Sequence, residues 1–79
     1  TYAYVSVTSE VGRRAGFIFI GRDAVAVEAV GATVSGLDPK KMPIVRQALK
    51  RGLGEGDISK IEVVGNTIED VKKRIILAK

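Results

Sequence analysis

Residues 17–34 constrain the fold most, because two apolar blocks of different periodicity meet there at Gly21-Arg22-Asp23. Phe17-Ile18-Phe19-Ile20 is apolar on both faces, and a strand of that kind belongs in the middle of a sheet. Gly16 and Gly21 bound it. Residues 23–35 then run through alanine and valine almost without a break. Alternation of Ala24, Val25, Ala26 and Val27 is compatible with a strand. Length, alanine content and an aspartate placed to cap the first turn favour a helix. Gly36 suits the left-handed residue that closes a helix, with Leu37 folding back on the last turn.

The flanking segments complete an element order. Tyr2-Ala3-Tyr4-Val5-Ser6-Val7 alternates in size and is rich in β-branched and aromatic residues, which predicts a strand. Residues 9–15, with Glu10, Gly12, Arg13 and Arg14, read as a hairpin loop. Asp38-Pro39-Lys40-Lys41 is a turn, and a second helix is expected from about Pro43. Its apolar stripe is Ile44, Val45, Ala48 and Leu49, opposite Arg46, Gln47, Lys50 and Arg51. Gly52 ends it, and Gly54-Glu55-Gly56-Asp57 forms another turn. Residues 61–64 read as a third strand. Asn66 or Thr67 caps a last helix, with Glu69 and Asp70 at the spacing that reaches back to the cap. Ile68, Val71, Ile75 and Leu77 form its buried face.

The expected fold is therefore α/β (α+β), a three-stranded mixed sheet with three helices in the order strand-strand-helix-helix-strand-helix. The third strand should return parallel to the central one. Open strand edges would remain, to be covered by other segments of a larger protein.

Composition restricts the chemistry. The chain has 79 residues, the size of one small domain, with no cysteine and no histidine. Disulfides, thiolate metal sites and imidazole bases are excluded. Thirteen basic and nine acidic side chains leave a net charge of +4, which attracts anions but is ordinary for a globular domain. No apolar run approaches the roughly eighteen residues of a membrane span, and residues 2–10 do not read as a signal peptide. A cytoplasmic setting without membrane contact is expected. The chain starts at Thr1 and enters a strand at once, as an excised or processed C-terminal fragment of a longer protein would.

Two carboxylates stand out. Glu28 lies in a helix of Ala24, Val25, Ala26, Val27, Ala29, Val30, Ala32 and Val34, and should be largely buried. A buried carboxylate must be paired, hydrogen-bonded, protonated or bound to a cation. It is either a functional group or one half of an ion pair with Arg22, Lys41 or another base. Asp23 precedes the helix and is placed to satisfy free N–H groups. Five positions separate the two, roughly 140° around a helix, so one helix face cannot present both to one ion. A shared site would need Asp23 to reach round from the carboxyl end of the central strand, where open α/β sheets bind ligands.

Gly52, Gly54 and Gly56 resemble a phosphate-cradling loop only loosely, since they follow a helix and no Lys-Ser/Thr pair comes after them. Arg46, Lys50 and Arg51, and separately Lys72, Lys73 and Arg74, form basic clusters that could face nucleic acid. With Tyr2, Tyr4, Phe17 and Phe19 the only aromatic residues, a stacking platform is disfavoured.

Gly21-Arg22-Asp23-Ala24-Val25-Ala26-Val27-Glu28-Ala29-Val30-Gly31-Ala32 resembles the C-terminal portion of the family catalogued as domain of unknown function 362. The likeness continues through Gly36-Leu37-Asp38-Pro39, Ala48, Arg51-Gly52-Leu53-Gly54, Asp57, Ile61 and Val64-Gly65, covering residues 16–65. Glu28 stands where members usually carry aspartate, and Ala24 where proline is common. The resemblance implies a larger prokaryotic parent, often accompanied by ferredoxin-type iron–sulfur segments. It also implies a conserved domain without an assigned reaction.

On these grounds the chain is expected to be a subdomain with no activity alone. Asp23 and Glu28 would line a ligand or cation site completed by the remainder of the parent chain. No metal is assigned, and no cofactor is expected in this chain; an iron–sulfur cluster would sit elsewhere in the parent. The alternative is a non-catalytic basic module for nucleic acid or an acidic protein partner.

Overall fold

The computed structural model describes residues 1–11 and 14–78, with side chains over residues 1–7 and 16–75. The strands are β1 (Tyr2–Val11), β2 (Arg14–Ile20) and β3 (Glu62–Gly65), and the helices are α1 (Ala24–Val34), α2 (Pro43–Lys50) and α3 (Ile68–Ala78). Single 3-10 turns at Pro39–Lys41 and Ile58–Lys60 precede α2 and β3. The expected order and the mixed three-stranded sheet are both present. Among the described residues no helix is long and apolar enough to cross a membrane.

The sheet order is β2-β1-β3, with β1 antiparallel to β2 and parallel to β3. The central strand is thus β1, and the doubly apolar segment of residues 17–20 lies on an edge. Apolarity on both faces describes what lies above and below a strand, whereas its place in the sheet depends on what bonds to its sides. The hairpin is also longer than expected. Ser9, Glu10 and Val11 pair with Gly16, Ala15 and Arg14, after an irregularity between Val7 and Ser9. Most of the segment expected to be loop is therefore ladder, and its tip at Gly12-Arg13 lies outside the described residues.

Alternation sorts the strand side chains onto two faces. Ala3 and Val5 are fully buried on the inner face, where they meet Ala26, Ala29, Val30 and Val34 of α1 and Val71 of α3. Phe17, Phe19, Val63, Ile68 and Ile75 pack around this cluster. The Leu77 side chain, expected on the same face of α3, lies outside the described residues. The core is built of small side chains, so close approach of the helices to the sheet replaces bulk. At Gly21 a Cβ would stand 2.7 Å from Val27 Cγ2, which shows how closely α1 passes. Helix α2 buries only Val45 and Ala48. Ile44 and Leu49 of the expected stripe flank that buried line and remain exposed, because an eight-residue helix beside α1 has room for a narrow contact only.

Strand β3 is anchored by the two residues that end and follow its ladder. Gly65 has φ +90°, and a Cβ there would collide with the carbonyl oxygen of Val5. Asn66 N–H donates to that same oxygen at 2.8 Å. The Asn66 side chain then extends the ladder, its Oδ1 accepting from Val7 N–H at 3.2 Å. Thr67 caps α3 by accepting from Asp70 N–H at 3.1 Å. Gly65→Ala should therefore destabilise the chain by about 2 kcal/mol or more, from the left-handed backbone and the collision together. Urea unfolding followed by circular dichroism measures it.

Candidate functional site

The strand-to-helix junction of residues 21–28 and the glycine-rich loop after α2 meet at Asp23. Asp23 is the N-cap of α1, with extended backbone at φ −101° and ψ 104°. Its Oδ1 accepts from the N–H groups of Val25 at 3.0 Å and Ala26 at 3.2 Å. Its Oδ2 accepts from Glu55 N–H at 2.7 Å, thirty-two positions further along the chain. The capping role read from the sequence is in place. The sequence offers no signal for the long-range bond to Glu55.

Each glycine of the 52–56 run has a local reason. Gly52 ends α2, and Leu53 N–H turns back to Ala48 O at 2.8 Å. Gly54, at φ +72°, lies against the cap, where a Cβ would stand 2.5 Å from Asp23 Oδ1 and 2.7 Å from Val25 Cβ. Gly56 is buried, and a Cβ there would stand 3.0 Å from Val45 Cγ1 and 3.1 Å from Leu49 Cδ2. Close approach of the loop to α1 and α2 thus accounts for the spacing that resembles a phosphate cradle.

Glu28 departs from expectation. It is exposed, on the outer stripe of α1 that starts at Ala24 and runs toward the C-cap residue Ser35. Among the described residues its carboxylate makes neither an ion pair nor a hydrogen bond, so the expected pairing with Arg22 or Lys41 is also missing. Alanine and valine all round a helix suggest burial on every side. Alanine and glycine, however, cost little to expose, and Ala24, Glu28 and Gly31 form a stripe that the sheet and neighbouring helices leave uncovered. Asp23 spends three of the roughly four lone-pair directions of a carboxylate on backbone donors. Among the described residues no three potential ligands converge on a metal position. With no cysteine in the chain, these residues do not fit an iron–sulfur cluster.

An open cleft of about 260 Å³ lies beside the junction, lined by Thr1, Tyr2, Arg22 and Asp23. The sequence pattern locates such a site at the carboxyl end of the central strand. The cleft stands instead at the carboxyl end of edge strand β2, hence at the amino ends of the parallel pair β1 and β3. The rule that places ligands at the carboxyl ends of parallel strands therefore does not point to it.

The carboxyl end of β3 carries a second polar cluster. Asp70 Oδ2 accepts from Asn66 Nδ2 at 2.8 Å and from Arg74 Nε at 3.1 Å. These bonds, the first from Asn66, hold the Asp70 carboxyl below its ordinary range. Asp57 is lowered likewise by the hydroxyl and backbone N–H of Ser59. Lys72, Lys73 and Arg74 do not share one face, because successive helical residues diverge by about 100°.

Four outcomes follow from this geometry. Asp23→Ala should cost about 2–3 kcal/mol, and Asp23→Ser roughly half of that by keeping the cap and losing the bond to Glu55. Glu28→Gln should stay within about 0.5 kcal/mol of the parent. Urea unfolding of the three variants checks both statements. A lowered folded-state value means that the Asp70 contribution is complete above the ordinary aspartate range and is lost as pH falls through the lowered one. The stability difference between the parent and Asp70→Asn should therefore be constant at neutral pH and shrink in acid. A carboxyl NMR titration should show Asp57 and Asp70 ionising below their values in the unfolded chain.

Compared with known proteins, the chain matches no family model, no curated protein and no solved structure, so no family membership is assigned.

Proposed function

We propose that this chain is a non-catalytic packing module that docks through the outer face of its sheet onto another apolar body, the remainder of a larger protein. One observation carries the reading. On the face turned away from α1 and α3, Tyr2, Tyr4, Ile18, Ile20 and Val64 are 37–57% exposed. The ladder sets Ile20, Tyr4 and Val64 in one row across all three strands. A sheet with helices on one side and water on the other normally turns polar residues outward. Contiguous large apolar side chains on such a face mark an interaction surface. The commitments of Asp23 and the exposure of Glu28 weigh against a chelating pair, so packing is favoured over ligand or cation chemistry.

Oxidative footprinting tests this reading. Tyr2 and Tyr4 should be labelled readily in the isolated chain, and labelled several-fold less in the intact gene product or its native complex. Equal labelling in both would refute it.

A second reading rests on the exposed cations Lys40, Lys41, Arg46, Lys50 and Arg51, which make no ion pair among the described residues. It makes this surface a dock for nucleic acid or an acidic protein. Binding of a DNA or RNA duplex that weakens steeply between about 50 and 200 mM salt, on the order of the counterion effect, would support it.

A further inference from the structure

Ladder parity identifies which backbone groups of the sheet remain open. Glu62 N–H donates to Thr1 O at 2.9 Å, and Asn66 N–H to Val5 O at 2.8 Å. Val7 N–H donates to Asn66 Oδ1 at 3.2 Å. Odd-numbered residues of β1 therefore direct their backbone groups toward β3. Tyr4 and Ser6 direct theirs toward β2, opposite Ile20 and Ile18. Backbone direction alternates along a strand, so Phe17 and Phe19 of β2 turn N–H and C=O to the open side. Among the described residues no strand pairs there.

The two edges of the sheet differ in protection. The edge at β3 is four residues long and carries exposed Glu62. The edge at β2 has seven residues, and its residues 16–20, Gly-Phe-Ile-Phe-Ile, contain no charge and no proline. Among the described residues the irregularity of the hairpin falls on β1, between Val7 and Ser9. Charge, proline, a bulge and short length are the usual means of keeping an edge from pairing. The apolar part of β2 carries no charge, no proline and no bulge.

We propose that two copies of this chain pair antiparallel along β2, joining their sheets into one of six strands. A second copy is favoured as occupant for two reasons. Identical strands meeting antiparallel are related by a two-fold axis, so the contact closes at a dimer and consumes both open edges. Each copy carries +4 overall, yet residues 16–20 bring no like charges together. The resulting sheet ends in the two short β3 edges. This edge is distinct from the outer face on which the proposed function rests, and either idea can stand without the other. A contact five residues long covers much less than the roughly 800 Å² per partner of a standard interface. The dimer accordingly belongs to the weak, transient class.

Sedimentation equilibrium of the 79-residue chain from low micromolar to millimolar concentration tests the proposal. It is run on the parent and on synthetic chain N-methylated at the Phe19 amide. That change blocks the outward donor and leaves the Phe19 side chain and the bonds to β1 intact. The parent mass should rise from 8.4 kDa toward twice that value, while the N-methylated chain associates at least tenfold more weakly with an unchanged circular dichroism spectrum. A parent that stays monomeric at millimolar concentration, or an N-methylated chain that folds and dimerises equally well, overturns it. Should N-methylation disturb folding, amide exchange in the unmodified chain decides. Exchange at Phe17 and Phe19 should slow with concentration, and unchanged exchange at both overturns the proposal.

Discussion

The carboxylate of Asp23 fixes the geometry on which the rest of the structure depends. One oxygen starts α1 by taking the N–H groups of Val25 and Ala26, and the other holds the loop after α2 through Glu55. These bonds join the strand-to-helix turn to the segment that feeds β3. Gly54 makes the arrangement possible because only a residue without a side chain fits between the loop, Asp23 and Val25. With both oxygens committed, Asp23 is poorly placed to serve as a ligand.

The sheet is the second determinant. Parallel pairing of β3 with β1 rests on four ladder positions, Tyr2 to Val5 against Glu62 to Gly65. The positive φ of Gly65 and the two-ended amide of Asn66 supplement that short ladder. The same sheet is covered on one face only. Ala26, Ala29, Val30 and Val34 of α1 with Val71, Ile68 and Ile75 of α3 cover the inner face, while tyrosines, isoleucines and a valine remain on the outer one. A monomer with this distribution carries its apolar excess on the outer face of the sheet, and its open backbone groups along the β2 edge.

Element types are legible in the amino-acid order, because each depends on local periodicity or on a capping residue. Asp23, Gly36 and Thr67 occupy the helix-end positions that their side chains or backbone freedom suit. The candidate site is less legible. The apolar neighbours of Glu28 read as a buried helix, but alanine content cannot tell a buried helix face from an exposed one. The bond from Glu55 to Asp23 spans thirty-two positions, and nothing local marks it.

By itself, the sequence determined the α/β class, the order of elements, the helix boundaries near Asp23 and Gly36, and the exclusion of thiol and imidazole chemistry. Those features follow from side-chain identity and spacing within a few residues. Tertiary structure alone decided that β1 and not β2 is central, that Glu28 faces outward, and that the glycines of the 52–56 loop serve close packing. Each of these depends on which distant segment arrives alongside, and hydrophobic pattern specifies the faces of a strand or helix without naming its neighbours.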